Sequence, residues 1–346
     1  MKVGIAGAGI IGASIAYYLS RLSIAVTVWE SADQPSRGAS GAALGVLMAV
    51  GSSKTTGDVV QLRLASLSKF DPLIDQLTSA GISVPYNRSG IVYLSQNPKT
   101  YQKWDNLVQV RAQQGLSLEL WEPLPDWHSD RVLFSPLDRW VHPPRLLHAL
   151  LCMAQTRGAQ VLTGKQILPA DLPSLTQAFD WIILTAGLGI NGLLTADLLQ
   201  PVRGVGMTIR LPALGLDRVM HLENGHGEDI NLVPIGGEHY WVGATVRFEL
   251  EHWSMQQDCQ WLMQELQAFH PIFAEAEIIH QWHGDRPRPR ATKAPIIGFH
   301  PFWNKVLVAG GHYRNGILLS QVTAQIVQDL LLTGDSPLPW RSFSKF

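Results

Sequence analysis

Cysteine is nearly absent. The 346 residues hold two, Cys152 and Cys259, both in stretches of helical spacing and neither in a CxxC pair, which argues against a disulfide framework or a cysteine zinc site. A reducing compartment fits, and a cytoplasmic location is expected. Charge is sparse and balanced: Asp, Glu, Lys and Arg make up 16% of residues, 27 basic against 28 acidic, for a formal net charge of −1. Neither nucleic acid nor an acidic membrane surface is therefore an expected partner; a small molecule is. The 46% hydrophobic content excludes wholesale disorder. The sequence has no GxSxG, no His pair at metal-ligand spacing and no carboxylate dyad that spacing could establish, so no metal ligand and no catalytic side chain is assigned. Repeats and low-complexity tracts are missing too. One run, "VGIAGAGIIGASIAYYL" (3–19), could pass for a signal peptide or a membrane span of roughly 18 apolar residues. Its spaced glycines, and the polar "SRLS" that leads into a second β-rich run, argue against both, and no membrane span is expected.

What is present reads as an α/β protein long enough for two domains. Residues 2–7 form an apolar strand, 10–22 a helix and 25–30 a strand rich in β-branched residues, together a βαβ unit. Helical spacing recurs over 62–81, 144–161, 256–271 and 320–332, and apolar strands over 180–189 and 305–310. Residues 89–95, 118–144, 202–212 and 239–249 are short strands among Trp-bearing loops and glycine turns, the texture of an antiparallel sheet. A Pro/Arg segment, "WHGDRPRPRATKAPIIG" (282–298), lies between the later elements. The nucleotide-type pattern returns at both ends and in the middle. The expected architecture is a Rossmann-type domain over 1–85, 141–205 and 290–346, interleaved with an antiparallel-sheet domain over 86–140 and 206–289.

Gly7, Gly9 and Gly12 spell GxGxxG between strand and helix, with Glu30 ending the next strand. Gly7 permits the tight turn, Gly9 lets backbone approach a pyrophosphate and Gly12 lets helix pack on strand. The helix N-terminus offers unpaired N–H groups to the phosphates. Glu30 is placed to accept from the ribose hydroxyls. NAD and FAD share this fingerprint, and a structural turn is the alternative to either. The side-chain-poor run "GASGAALGVL" (38–47) suits backbone lining an extended cofactor, whereas a mobile surface loop would be less apolar.

Other pieces are more specific. The N-terminal βαβ with Glu30 and Ser31, the SxAAxG run from Ser40 to Gly45, "DRWVHPPRLLHAL" (138–150), "TAGLG" (185–189), "RP" (286–287) and "GHYRNGILL" (311–319) stand in an order that resembles the D-amino-acid oxidase superfamily of flavoproteins, and within it the glycine oxidase branch of thiamine biosynthesis. The resemblance spans nearly the whole chain. It implies noncovalent FAD, held at Ile10, Ile11, Glu30, Ser31, Ala39, Ser40, Leu44, Gly45, Val46 and Ile167, and by His312, Tyr313, Arg314, Asn315, Gly316, Ile317 and Leu318. It implies that Arg286 and Arg314, in loops over the flavin, hold a substrate carboxylate; a surface or interdomain ion pair is the alternative for each. It also implies oxidation of a C–N bond by hydride transfer to the flavin, with His312 and Tyr313 assigned no acid or base role.

The chain departs from that pattern near the substrate. Asn231 stands where glycine oxidases commonly have a substrate-positioning tyrosine, and Asp285 replaces an apolar residue before "RP". Asp285 could meet a substrate ammonium or pair with Arg288 or Arg290. The expected activity is oxidation of glycine, sarcosine or a D-amino acid to an imine and oxo acid, with oxygen or another acceptor taking the electrons and hydrogen peroxide formed if it is oxygen. The alternative is a flavin-binding protein of the same fold whose altered pocket has lost turnover and which acts as a binding or assembly partner. A homo-oligomer is compatible with either.

Overall fold

The computed structural model describes residues 1–224 and 228–345. The strand Lys2–Ala6 lies inside a six-stranded sheet, flanked in parallel by Trp181–Leu184 and Ala25–Trp29. Gln160–Leu162 forms one edge in parallel, and Val306–Gly310 and the antiparallel Ile296–Phe299 form the other. Val3, Ile5, Val26, Val28, Leu307 and Ala309 face the helix Ile10–Ser20, which packs against Pro143–Thr156 and Gly316–Thr333. Ala6, Trp29, Ile182, Leu184, Val306 and Val308 build a smaller core on the other face. Covered on both faces, these strands read as continuous apolar runs, as parallel strands do.

Eight strands make the second sheet, in the order Glu277–Pro289, Leu199–Arg210, His239–Gly243, Asp229–Gly236, Val219–Glu223, Ile91–Ser95, Val132–Ser135 and Glu119–Trp121. All pair antiparallel except Val219–Glu223 with Ile91–Ser95. The helix Met255–Phe269 buries Cys259, Leu262, Leu266 and Phe269 against Val205, Met207 and Leu232. Leu199–Arg210 and Glu277–Pro289 pair along their whole length, from Leu199 opposite Pro289 to Arg210 opposite Glu277. Their near ends abut the first sheet: a Cβ on Gly311 would come within 2.7 Å of Pro289 and 3.0 Å of Leu199. Leu199–Arg210 thus runs through the boundary expected at residue 205.

Three local expectations change. The helix expected over 62–81 is two, Asp58–Leu67 and Phe70–Ser79, because Pro72 falls in the first turn of the second, where a missing N–H costs nothing. The Pro/Arg segment is not irregular up to residue 289 but completes the strand Glu277–Pro289, whose edge position lets Pro287 and Pro289 dispense with a donor. A helix went unread at Pro98–Gln113, where the Asn97 side chain accepts from the Lys99 N–H and Pro98 opens the first turn. One helical stretch, Tyr313–Thr333, is long and apolar enough to cross a membrane; here Leu319, Val322, Ala324, Ile326 and Val327 are buried in the protein core.

Candidate functional site

A cavity of about 560 Å³ runs from the first glycine turn to the inner end of the long paired strands. At its first end Gly7 has φ +109°, and a Cβ there would meet Ala186 Cα at 2.7 Å. The Thr185 hydroxyl donates to Gly7 O at 2.8 Å, so turn and neighbouring strand are tied together. Gly12 must be glycine for packing, since its Cβ would strike Gly7 O. The helix Ile10–Ser20 opens on Gly9 with no side-chain cap and no acidic residue in its first turn; Ile10 N–H donates to Ser40 Oγ at 3.0 Å. Glu30 accepts from Ala8 N–H at 2.9 Å and from Ala32 N–H at 3.0 Å, holding the glycine turn to the end of the second strand with lone pairs to spare.

The loop 38–47 forms the next part of the wall. Two indoles pin it: Trp140 donates to Leu44 O at 2.7 Å and Trp282 to Ala42 O at 3.0 Å. Gly45 has φ +80°, with Val141 O where a Cβ would go. Opposite, the strand Val306–Gly310 turns at Gly311 (φ +69°) and Tyr313 (φ +52°) into the helix Gly316–Thr333. His312 is buried, with Nε2 2.9 Å from Thr323 Oγ1, and burial pushes its pKa down to about 3. It is neutral at ordinary pH and anchors the turn to the helix.

At the far end three polar side chains converge. The Arg286 guanidinium lies on Gly204, whose missing side chain makes room for it, and its Nη1 donates to Thr245 O at 3.0 Å and Arg203 O at 3.3 Å. Burial first, and the Arg314 charge second, lower its pKa to about 10. It is a strand residue, not a loop residue as expected. Arg314 is more open, with Nη2 3.8 Å from Asp229 Oδ2. Asn231 is buried, and its Oδ1 is 3.0 Å from His221 Nδ1. Asp285 faces away from Arg286, as strand alternation requires, and makes a two-pronged pair with Arg203 at 2.8 Å. Neither expected role for Asp285 holds: Arg290 pairs with Asp197, and Arg288 stacks over Phe248 and Tyr313.

The family of FAD dependent oxidoreductases called DAO matches residues 2–330. The chain belongs to this family. A glycine oxidase from Geobacillus kaustophilus is 27% identical over 99% of this chain and 96% of its own length. The chain is 29% identical to a bifunctional ThiO/ThiG protein of Synechocystis, over 95% of this chain and 51% of that one. Among solved structures, the Geobacillus kaustophilus glycine oxidase superposes with a TM-score of 0.87 at 25% identity, over 99% of this chain and 97% of that one. An FAD-bound L-α-glycerophosphate oxidase from Mycoplasma pneumoniae has the same fold, with a TM-score of 0.78 at 16% identity over 100% and 98%.

The DAO-family cofactor is FAD, and the residues present fit it: a helix N-terminus without a cap, an acidic side chain at the end of the second strand, and glycines whose Cβ atoms would close the turn. Of the residues expected to hold it, all line the cavity except Gly12, which acts through packing, and Asn315, whose N–H bonds back to His312 O. Arg286, Arg314 and Asn231 line the other end of the same cavity. Sequence reasoning missed Thr185 as a brace, Met48 and Ala244 in the wall, and the strand glycines Gly204, Gly206 and Gly284. The glycines carried a signal, since three in two paired strands leave a groove only a neighbouring side chain or a ligand fills.

Proposed function

We propose that the chain is an FAD-dependent amine oxidase or dehydrogenase acting on the C–N bond of a small amino acid, with glycine, sarcosine and D-amino acids as the first candidates. One observation carries the reading: the cavity that begins at the dinucleotide turn ends at two guanidiniums, and the inner one, Arg286, has no carboxylate partner among the described residues. A planar carboxylate is the ligand such a pair suits, each charged hydrogen bond contributing about 1.5–3 kcal/mol.

FAD held by these residues would supply the acceptor for a hydride from the substrate α-carbon, and oxygen, giving hydrogen peroxide, or another acceptor would reoxidise it. Arg286 and Arg314 hold the carboxylate and so fix the α-carbon. The same two charges disfavour an ammonium beside them, so substrate reacts as the neutral amine, its proton lost to solvent before the step. His312, neutral and hydrogen-bonded within the protein, supplies no acid or base and instead positions the turn. The released imine hydrolyses to oxo acid and ammonia or methylamine.

In this reading Gly7, Gly9, Ile10, Ile11, Glu30, Ser31, Ala39, Ser40, Leu44, Gly45, Val46, Ile167 and residues 312–318 form the FAD site. The segments 1–85, 141–205 and 290–346 form the FAD domain, which the membership of the six-stranded sheet supports except at residues 199–205, whose strand belongs to the second sheet. Residues 86–140 and 206–289 form the substrate domain. A reducing, cytoplasmic setting is in keeping with the unpaired Cys152 and Cys259. The decisive experiment is anaerobic titration of the yellow holoenzyme with glycine, sarcosine and D-amino acids. Bleaching by at least one is expected, and an FAD-loaded protein that none reduces would refute the reading in favour of a flavin-binding protein without amino-acid turnover.

A further inference from the structure

Arg286 reaches the cavity from two backbone carbonyls, those of Thr245 and Arg203, and a guanidinium is aimed only as well as its acceptors are held. The group that holds them is a buried carboxylate. Asp258 sits in the first turn of the helix Met255–Phe269 and is 4% exposed. Ser254 supplies that helix with its cap, accepting from Gln257 N–H. The Asp258 oxygens accept instead from three side chains outside the helix: Arg247 Nε at 2.7 Å and Nη2 at 2.6 Å, the Thr245 hydroxyl at 3.1 Å and the Trp253 indole at 3.0 Å. Two of these lead to the two carbonyls. Thr245 Oγ1, while donating to Asp258, accepts from Val205 N–H at 3.1 Å, so it pins the residue whose carbonyl receives Arg286. Arg247 and Arg203 exchange N–H to O bonds in both directions at 2.9 Å, so a fixed Arg247 fixes the Arg203 carbonyl. The third, Trp253, stands with its ring 4.6 Å from the Arg203 guanidinium. Thr245 and Arg247 lie beyond the end of the strand His239–Gly243, where the regular ladder gives way to an isolated bridge. Side-chain contacts therefore locate this stretch.

We propose that Asp258 is a positioning residue for Arg286: through Thr245 and Arg247 it sets the two carbonyls that aim the guanidinium at the substrate carboxylate. The proposal rests on the amine-oxidase reading for what Arg286 binds, but the aim of the guanidinium is observable without turnover. Breaking a buried ion pair also costs stability, so lost activity alone would not identify the role. The test therefore couples each change to Arg286 in the FAD holoenzyme. Asp258→Asn keeps the size of the side chain, removes its charge and turns an amide NH₂ toward one of its donors. Thr245→Val keeps the shape and removes the hydroxyl link. With an amine that reduces the parent flavin, kcat/KM is expected to fall about fivefold or more in each. In an Arg286→Ala background the same two changes should add less than about twofold, since the group they aim is gone, whereas a loss through general loosening would persist. Glu228→Gln removes the other acid bonded to Arg247 and leaves Asp258 in place, so it should stay within about twofold of the parent. Crystal structures of the parent and Asp258→Asn holoenzymes read the aim directly, with Arg286 Nη1 expected to move from Thr245 O by about 0.5 Å or more. If Asp258→Asn does not fold, Thr245→Val carries the same coupling and the same structural comparison. Undiminished losses in the Arg286→Ala background overturn the proposal, as does an unmoved Arg286 or a Glu228→Gln loss equal to that of Asp258→Asn. Failure of every amine to reduce the parent flavin overturns amine oxidation instead, and the paired structures still decide whether Asp258 aims Arg286.

Discussion

Two arginines, one fully buried and one half-buried at the cavity, show how differently the same side chain can be used. Arg111, fully buried in the helix Pro98–Gln113, donates to the carbonyls of Ala49, Val50, Ser52 and Lys54 and to the Gln114 side chain. The same loop is gripped from its other side by Asp138, which accepts from the N–H groups of Ala49, Val50 and Gly51 and from the Tyr93 hydroxyl. Every strong group there is satisfied within the protein. Arg286 bonds two carbonyls through one nitrogen and turns the remainder to a cavity. A buried cation whose bonds are complete is architecture. One left incomplete awaits a ligand.

The comparison makes contrasting predictions for stability and ligand capture. The largest effect is expected at Gly9, on the open side. A Cβ there meets only Ser40 Oγ, at 3.3 Å, so Gly9→Leu should fold yet retain no FAD, the side chain taking the space where pyrophosphate must approach. Flavin content measured beside the apoprotein melting temperature checks this, and full occupancy would refute the placement.

On the closed side, Arg111→Met or Asp138→Ala leaves several buried loop groups unpaired and should lower stability by about 3–5 kcal/mol. Urea unfolding of the apoprotein reads that loss directly. A change below about 1 kcal/mol would mean that the loop finds other partners and that the contrast with Arg286 is false.

Arg286→Ala and Arg314→Ala should do the reverse, keeping fold and FAD while lowering kcat/KM roughly 10- to 150-fold, the equivalent of one charge-assisted contact. Lysine at either position should restore part of the loss, as charge returns without the planar fork. Near-wild-type turnover in both alanine variants would refute the carboxylate clamp. Loss of FAD from Arg314→Ala alone would reassign that residue to holding the turn.

The last effect, at His312, is read against pH. Burial lowers its folded-state pKa from about 6.5 to about 3, so the unfolded chain binds the extra proton first. Its contribution to stability is complete above about pH 6.5 and is lost as pH falls toward 3, at up to about 1.4 kcal/mol per pH unit. The slope of apoprotein stability against pH between 6 and 4 should be shallower in His312→Asn than in the parent. Equal slopes would show that another group governs acid unfolding.

How much of this was legible in the sequence depended on the range of the interactions. The βαβ unit and the glycine turn were readable because strand period, helix period and φ-permissive positions are local properties. The helix Pro98–Gln113 was readable too, from Asn97 and Pro98, yet its sparse apolar positions hid it. The break between Leu67 and Phe70 turned on one proline, Pro72, that a longer periodic window absorbed.

Residue spacing alone thus pointed to a dinucleotide-type turn in a mixed α/β architecture, and the resemblance carried by "GHYRNG" implied the flavin end of the site. It could not say which arginine would be satisfied. Arg286, Arg288 and Arg290 are alike in one Pro/Arg-rich segment, and tertiary contacts alone paired Arg290 with Asp197 and gave Asp285 to Arg203 while leaving Arg286 open. The physical reason is that a side chain's unmet hydrogen bonds are counted only after distant strands have brought, or failed to bring, their partners. For Arg286 those partners are Thr245 and Arg203, 41 and 83 residues away.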